Sequence, residues 1–179
     1  MTSEQVLEVI RTRRVIRHLT DEPVERTQLE KILEAGRWAP AGGNHRFVRF
    51  VAIENPATLQ LIRKISPGMS QRPPAIILLC IDWNQVALAE TPADDPVIYI
   101  DVGTAMENML LATHALGLGA GPVTSFSKEA MRVVLNLPQH LTPEVAICIG
   151  HAAPRGQSPM IPKQRVTWQS LTDWERFED

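Results

Sequence analysis

Cysteine is scarce in this chain of 179 residues: Cys80 sits in the run AIILLCI and Cys148 in EVAICIG. Two thiols inside apolar, strand-like runs read as buried side chains and not as a disulfide framework, which points to a reducing, cytoplasmic setting. Excess positive charge is missing too. Lys and Arg number 18 against 20 Asp and Glu, a balance of -2, so nothing global holds a polyanion and a dedicated nucleic-acid binder is excluded. No run approaches the roughly 18 apolar residues that span a bilayer, and the opening MTSEQVLEVI lacks the basic start and unbroken apolar core of a secretory signal. The arginines that follow would suit a mitochondrial presequence, but Glu4 and Glu8 would not. Familiar catalytic signatures are absent as well: there is no Walker lysine, no HExxH and no GxSxG. The histidines (His18, His45, His114, His140, His151) show no paired spacing, and Cys148 with His151 reads as packing at a strand end, so no metal site is expected.

What is present is the composition of an ordinary globular protein, 44% hydrophobic and 21% charged, of a length that makes residues 1–179 one domain. Residues 3 to 10 predict a short amphipathic helix capped by Ser3, and Thr27 with Glu30 predicts a capping box ahead of a helix that Pro40 ends. Strand signals cover 47–53, 75–81 and 144–150. The middle one is so uniformly apolar that it should lie at the sheet's centre, covered on both faces. Helical patterns run from Pro56 to Ile65, Tyr99 to Leu116 and Ser127 to Leu137, with a possible short terminal helix over Leu171 to Phe177. The pattern from Tyr99 is apolar round so much of its circumference that it must be a central or interface helix, which Gly117 stops. The acidic, proline-punctuated segment 89–96 is expected on the surface.

Two features invite a functional reading. Gly117, Gly119 and Gly121 suggest a dinucleotide fingerprint, but that motif opens a helix after a strand, whereas this one follows a helix and meets Pro122. A helix stop and a tight turn are expected instead. The second feature is the run Arg11, Arg13, Arg14 and Arg17, four cations within seven residues. Such a run is either a solvated basic face or the seat of an anion such as phosphate, and Lys163 with Arg165 in the tail could complete it.

The order of segments narrows the choice. RTRRVIRHL, APAGGNHRF, DVGTAMENMLLATHALGLG, AGPVTSF and PKQR, in that order along essentially the whole chain, resemble the FMN-dependent nitroreductase family at its compact end. The resemblance implies an α+β fold, a mostly antiparallel sheet flanked by helices in an intertwined homodimer, with FMN at the interface and NAD(P)H as electron donor. It implies a ping-pong two-electron reduction of nitroaromatics, quinones or related electrophiles, in which the flavin carries the chemistry and no side chain need act as acid or base.

Residue by residue, Arg13 and Arg14 resemble the arginines that grip the FMN phosphate, and Val15 stands where the family has serine. Arg17 matches the basic residue beside the pyrimidine edge of the flavin, where a fixed cation stabilises negative charge on the reduced ring. Pro40, Ala41, Gly42 and Asn44 match the loop by which one subunit lines the flavin of the other, with Ala41 and Arg46 replacing serine and glutamine. Pro122, Val123, Thr124 and Ser125 resemble the stretch packed on the flavin, Lys163 and Arg165 match the pair closing over the phosphate, and Asp101 and Asn108 match positions on the family's dimer helix. Residues 66–72 have no secure counterpart. The departures leave open specialised chemistry (reductive dehalogenation, substrate dehydrogenation or flavin breakdown) and a non-catalytic FMN-binding protein. A polyanion-binding module using the arginine run is disfavoured by the charge balance.

Overall fold

The computed structural model describes residues 2–154 and 166–176. Its centre is a four-stranded antiparallel sheet of β1 (Val48–Ile53), β2 (Ala75–Asp82), β3 (Gly119–Val123) and β4 (Leu141–Gly150) in the order β1-β2-β4-β3. The two inner strands are the two longest and most apolar, and all eight residues of β2 are buried. An antiparallel strand usually alternates apolar and polar because one face meets water; β2 does not, because both its faces are covered.

Side chains alternate across the pleat, and the core divides accordingly. Ala75, Ile77, Leu79 and Ile81 pack toward α2 (Arg26–Arg37) and α5 (Val97–Ala115), while Ile76, Leu78 and Cys80 pack toward α3 (Pro56–Lys64) and α6 (Lys128–Leu135). Partners on β4 keep the same division, Ile147 and Ile149 on one side and Ala146 and Cys148 on the other. The register steps at Glu144, since Leu79 faces Val145 and Cys80 faces Pro143. That bulge accommodates a proline inside a central strand. Both thiols are buried as expected, and burial pushes each up to about 12.

Local signals fix the helix starts, though not always those the sequence suggested. Helix α1 (Ser3–Thr12) is capped by Thr2, not Ser3, in a reciprocal box with Gln5. The box on α2 lies two residues upstream of Thr27 and Glu30: the Glu25 backbone N–H donates to Gln28 Oε1 at 3.3 Å. Asn55 caps α3 ahead of Pro56, and Ser127 caps α6, which ends on Asn136 in the left-handed region. A six-residue helix, α4 (Trp83–Leu88), was not foreseen; Asp82 caps it through the backbone N–H groups of Asn84 and Gln85.

Two expectations fail. The segment 117–126 is not simply a turn: Gly117 ends α5 at φ +75°, but Gly119–Val123 is strand β3. Glycine and proline have poor strand propensity, and the segment is held extended by its ladder to β4. Of the short terminal helix expected over Leu171 to Phe177, the described residues to 176 show none, and a single 3-10 turn at Trp168–Leu171 stands instead; Phe177 lies outside the described residues.

Candidate functional site

After α1 the chain runs along the outer edge of β3. Ile16 N–H donates to Ala120 C=O at 2.8 Å, Thr20 N–H to His151 C=O at 2.9 Å and Ala153 N–H to His18 C=O at 2.9 Å. The arginine run is thereby fixed beside the small residues of β3, and those residues are small for that reason. A methyl group added at Gly119 would meet Ile16 Cγ2 at 2.9 Å. One at Gly121 would meet the Ile16 carbonyl at 2.9 Å and Gln71 Nε2 at 2.7 Å. Of the glycines that failed as a dinucleotide fingerprint, Gly117 ends a helix, Gly119 makes room for the Ile16 side chain and Gly121 lets backbone approach backbone.

The arginines differ in what they touch. Arg13 lies with Nε 3.1 Å from Glu107 Oε1 on α5, an ion pair three-quarters buried on the arginine side. Arg14 donates through Nη1 to the carbonyls of Arg11 and Arg13. Arg17 is exposed and makes no ion pair among the described residues. Lys163 and Arg165 lie outside the described residues.

On the far side of β3, the turn at residues 65–69 packs on the segment after the strand. Gly68 N–H approaches the Ser125 carbonyl at 3.5 Å, Ser127 N–H donates to Ile65 C=O at 3.0 Å, and a methyl group at Gly68 would strike Ser125 Oγ. Just beyond lies Gln71, 1% exposed, with neither Oε1 nor Nε2 paired among the described residues, and Ser66 is equally buried with its Oγ likewise unpaired among them. Buried polar groups are almost always hydrogen-bonded, since leaving one unmade costs about 1–3 kcal/mol. The Gln71 amide, beside Gly121 and the Ile16 carbonyl, is thus a candidate group for a polar ligand. Sequence reading left residues 66–72 unassigned, because a lone glutamine after a turn carries no local signal.

The loop Pro40–Asn44 stands apart. It is a tight 3-10 turn with Gly43 at φ +56° and Asn44 at φ +58°, and it abuts a cavity of about 640 Å³ whose lining includes Pro40, Ala41, His45, Arg46, Phe47 and Asp101. No residue of 13–17 or 122–125 lines that cavity. Within one chain, then, the segment carrying Arg13, Arg14, Val15 and Arg17 meets β3 at Gly119, Ala120 and Gly121, ahead of Pro122, Val123, Thr124 and Ser125, while Pro40, Ala41, Gly42 and Asn44 form a second group. Both are tied to α5, the first through Glu107 and the second through Asp101, whose Oδ1 accepts from Gly42 N–H at 2.9 Å.

Among the described residues no three His, Cys, Asp or Glu side chains are placed to hold a metal ion, and no helix is long and apolar enough to cross a membrane. The profile of the nitroreductase family matches residues 10–76 and 66–151. The FMN reductase [NAD(P)H] of Bacillus subtilis is 28% identical, over 92% of this chain and 73% of its own. A putative NADH dehydrogenase/NAD(P)H nitroreductase of Methanothermobacter thermautotrophicus is 31% identical, over 83% of this chain and 78% of its own. A nitroreductase family protein of Clostridium difficile superposes with a TM-score of 0.80 at 27% identity, covering 96% of this chain and 98% of that one.

Proposed function

Because the chain belongs to the nitroreductase family, we propose that it is an FMN-dependent oxidoreductase, a single-domain subunit of a homodimer that draws electrons from NAD(P)H. When bound, FMN supplies the two-electron chemistry, accepting hydride from NAD(P)H and passing it to a nitroaromatic, a quinone or a related electrophile. The observation that carries this reading is the unpaired Gln71 amide, buried against Gly121 and next to the arginine run. An isoalloxazine edge offers both donors and acceptors and so fits an amide with both ends free.

The other residues follow from that placement. Arg13 and Arg14, with Lys163 and Arg165 of the tail, hold the phosphate; Glu107 keeps the Arg13 guanidinium oriented meanwhile. Arg17, without an acidic partner among the described residues, puts a positive charge beside the polar edge of the ring and favours negative charge there. Pro122 to Ser125 pack against the ring, with the turn at 65–69 behind them. The loop Pro40–Asn44 serves the site of a second copy, which accounts for its separation from the arginines of its own chain. Apolar side chains available to a dimer interface are Val6, Leu7 and Ile10 on α1, a helix with no buried residue, and Tyr99 and Ile100 on α5.

The test is an absorbance spectrum of the purified protein, as isolated and after incubation with FMN and desalting, then with NADH or NADPH added without oxygen. A retained flavin spectrum that bleaches with either nucleotide is the expected result. A flavin that is held but never bleaches assigns a binding protein without turnover, and no retained flavin returns the arginine run to solvated surface.

A further inference from the structure

Helix α5 is apolar almost all round, yet one stripe of it carries an ordered set of contacts to backbone. Val97, Asp101, Thr104 and Asn108 recur at spacings of four, three and four, so they share one face. Each meets the main chain from the last turn of α2 to the loop before β1. Asn108 Nδ2 donates to the Ala35 carbonyl at 3.1 Å, the single Thr104 hydroxyl proton is shared between the Pro40 carbonyl at 3.1 Å and the Asp101 carbonyl at 3.0 Å, and Asp101 Oδ1 accepts from Gly42 N–H at 2.9 Å. Val97 closes the set sterically, since a methyl group at Gly42 would strike Val97 Cγ2. The loop Pro40–Asn44 is therefore held from below, residue by residue, by side chains of a rigid helix.

Asp101 is the costly member of the set. It is 3% exposed, its Oδ2 has no hydrogen-bond partner, and no cation pairs with it among the described residues. A buried carboxylate served by one backbone N–H does not stabilise a fold on its own account. What it does is fix the height and tilt of a loop whose next residues, Gly43 and Asn44, both lie in the left-handed region and have no ladder to hold them.

We infer that Asp101 is a positioning residue for the cofactor site, holding the Pro40–Asn44 loop in the shape in which it lines the flavin and the approach of the electron acceptor. The inference rests on the FMN reading above and goes beyond it by assigning the loop's geometry to a named hydrogen bond. The amide of Asp101→Asn keeps an acceptor for Gly42 N–H and removes the buried charge; Asp101→Ala removes the acceptor itself.

The experiment compares the full-length wild type, Asp101→Ala, Asp101→Asn and Thr104→Val in three measurements: FMN dissociation constant by fluorescence quenching, KM and kcat for a quinone, and thermal midpoint. Loss of a hydrogen bond to a charged group predicts that Asp101→Ala weakens FMN binding about tenfold and raises the quinone KM by a similar factor, with kcat within about twofold. Asp101→Asn should recover both to within about threefold of wild type, and Thr104→Val should move both in the same direction as Asp101→Ala by about threefold. A folded Asp101→Ala with wild-type FMN affinity and KM overturns the assignment, and so does an Asp101→Asn as impaired as the alanine variant, which would make charge and not the hydrogen bond the operative feature. Should Asp101→Ala fail to fold, unchanged values in Thr104→Val overturn it instead. A wild-type chain that holds no FMN overturns the cofactor reading together with this one.

Discussion

Strands β2 and β3 lie in one sheet with β4 between them, but their residues answer to opposite demands. Strand β2, Ala-Ile-Ile-Leu-Leu-Cys-Ile-Asp, is chosen for what it fills: every residue is buried and each face feeds a separate apolar layer. Strand β3, Gly-Ala-Gly-Pro-Val, is chosen for what it leaves room for, the backbone of Val15 and Ile16 on one hand and the side chain of Gln71 on the other. Stability is concentrated where volume is matched, and the candidate site where volume is withheld. The two properties should therefore separate under mutation.

The largest expected effect is on β2. Leu78→Ala empties a fully buried site and should cost about 2–5 kcal/mol in denaturant unfolding, while the molecules that remain folded bind FMN as before; a parallel loss of affinity would erase the contrast. Gly121→Ala should shift the loss toward the site. Its methyl group has no room between the Ile16 carbonyl and Gln71, so FMN affinity should fall more than tenfold against a stability loss of about 1–3 kcal/mol. Arg17→Ala, at the exposed margin of the same site, should leave stability unchanged and lower turnover more than FMN occupancy; equal loss of both would refute the division between binding and tuning.

The smallest effect is expected where β2 stops. Burial pushes the Asp82 carboxyl up, but the hydrogen bonds from Arg49 and the Gln85 backbone outweigh it and hold it below its ordinary value near 3.8. A carboxyl with a depressed folded value stabilises the protein above that ordinary value and loses the contribution as pH falls through the folded one. Asp82→Asn should therefore cost on the order of 1 kcal/mol at neutral pH, discounted because Arg49 is 55% exposed, and should flatten the acid side of the stability profile below about pH 4. An unaltered acid limb would show that other carboxyls govern it.

The same contrast explains what was legible in the sequence. Strand β2 announces itself through seven uninterrupted apolar or small residues, Ala75 to Ile81, and α5 through apolar side chains at every angle, because burial acts on each residue's own chemistry. Strand β3 does not, because its extended form is imposed by β4 and its glycines by neighbours far away in the chain. Helix α4 was missed because six residues carry less than two turns of periodicity, and the α2 cap because Glu25 and Gln28 compete with an equally good pattern at Thr27 and Glu30. At the candidate site, the arginines and the loop are assigned from a family pattern in the sequence. The partnerless state of Gln71 and the hold of Asp101 on Gly42 depend on tertiary placement alone.

The central position of β2 also shapes how the chain is made. Its partner β1 precedes it, but β4 does not begin until Leu141, so residues 83 to 140 must be added first. At about 5–20 residues per second that takes roughly 3–12 s, during which one flank of a strongly apolar strand has no native partner. Such a segment is a template for pairing with other chains. Slow synthesis or high expression temperature should therefore send this protein into aggregates through β2, and a co-expressed chaperone that shields extended apolar segments should raise the soluble yield.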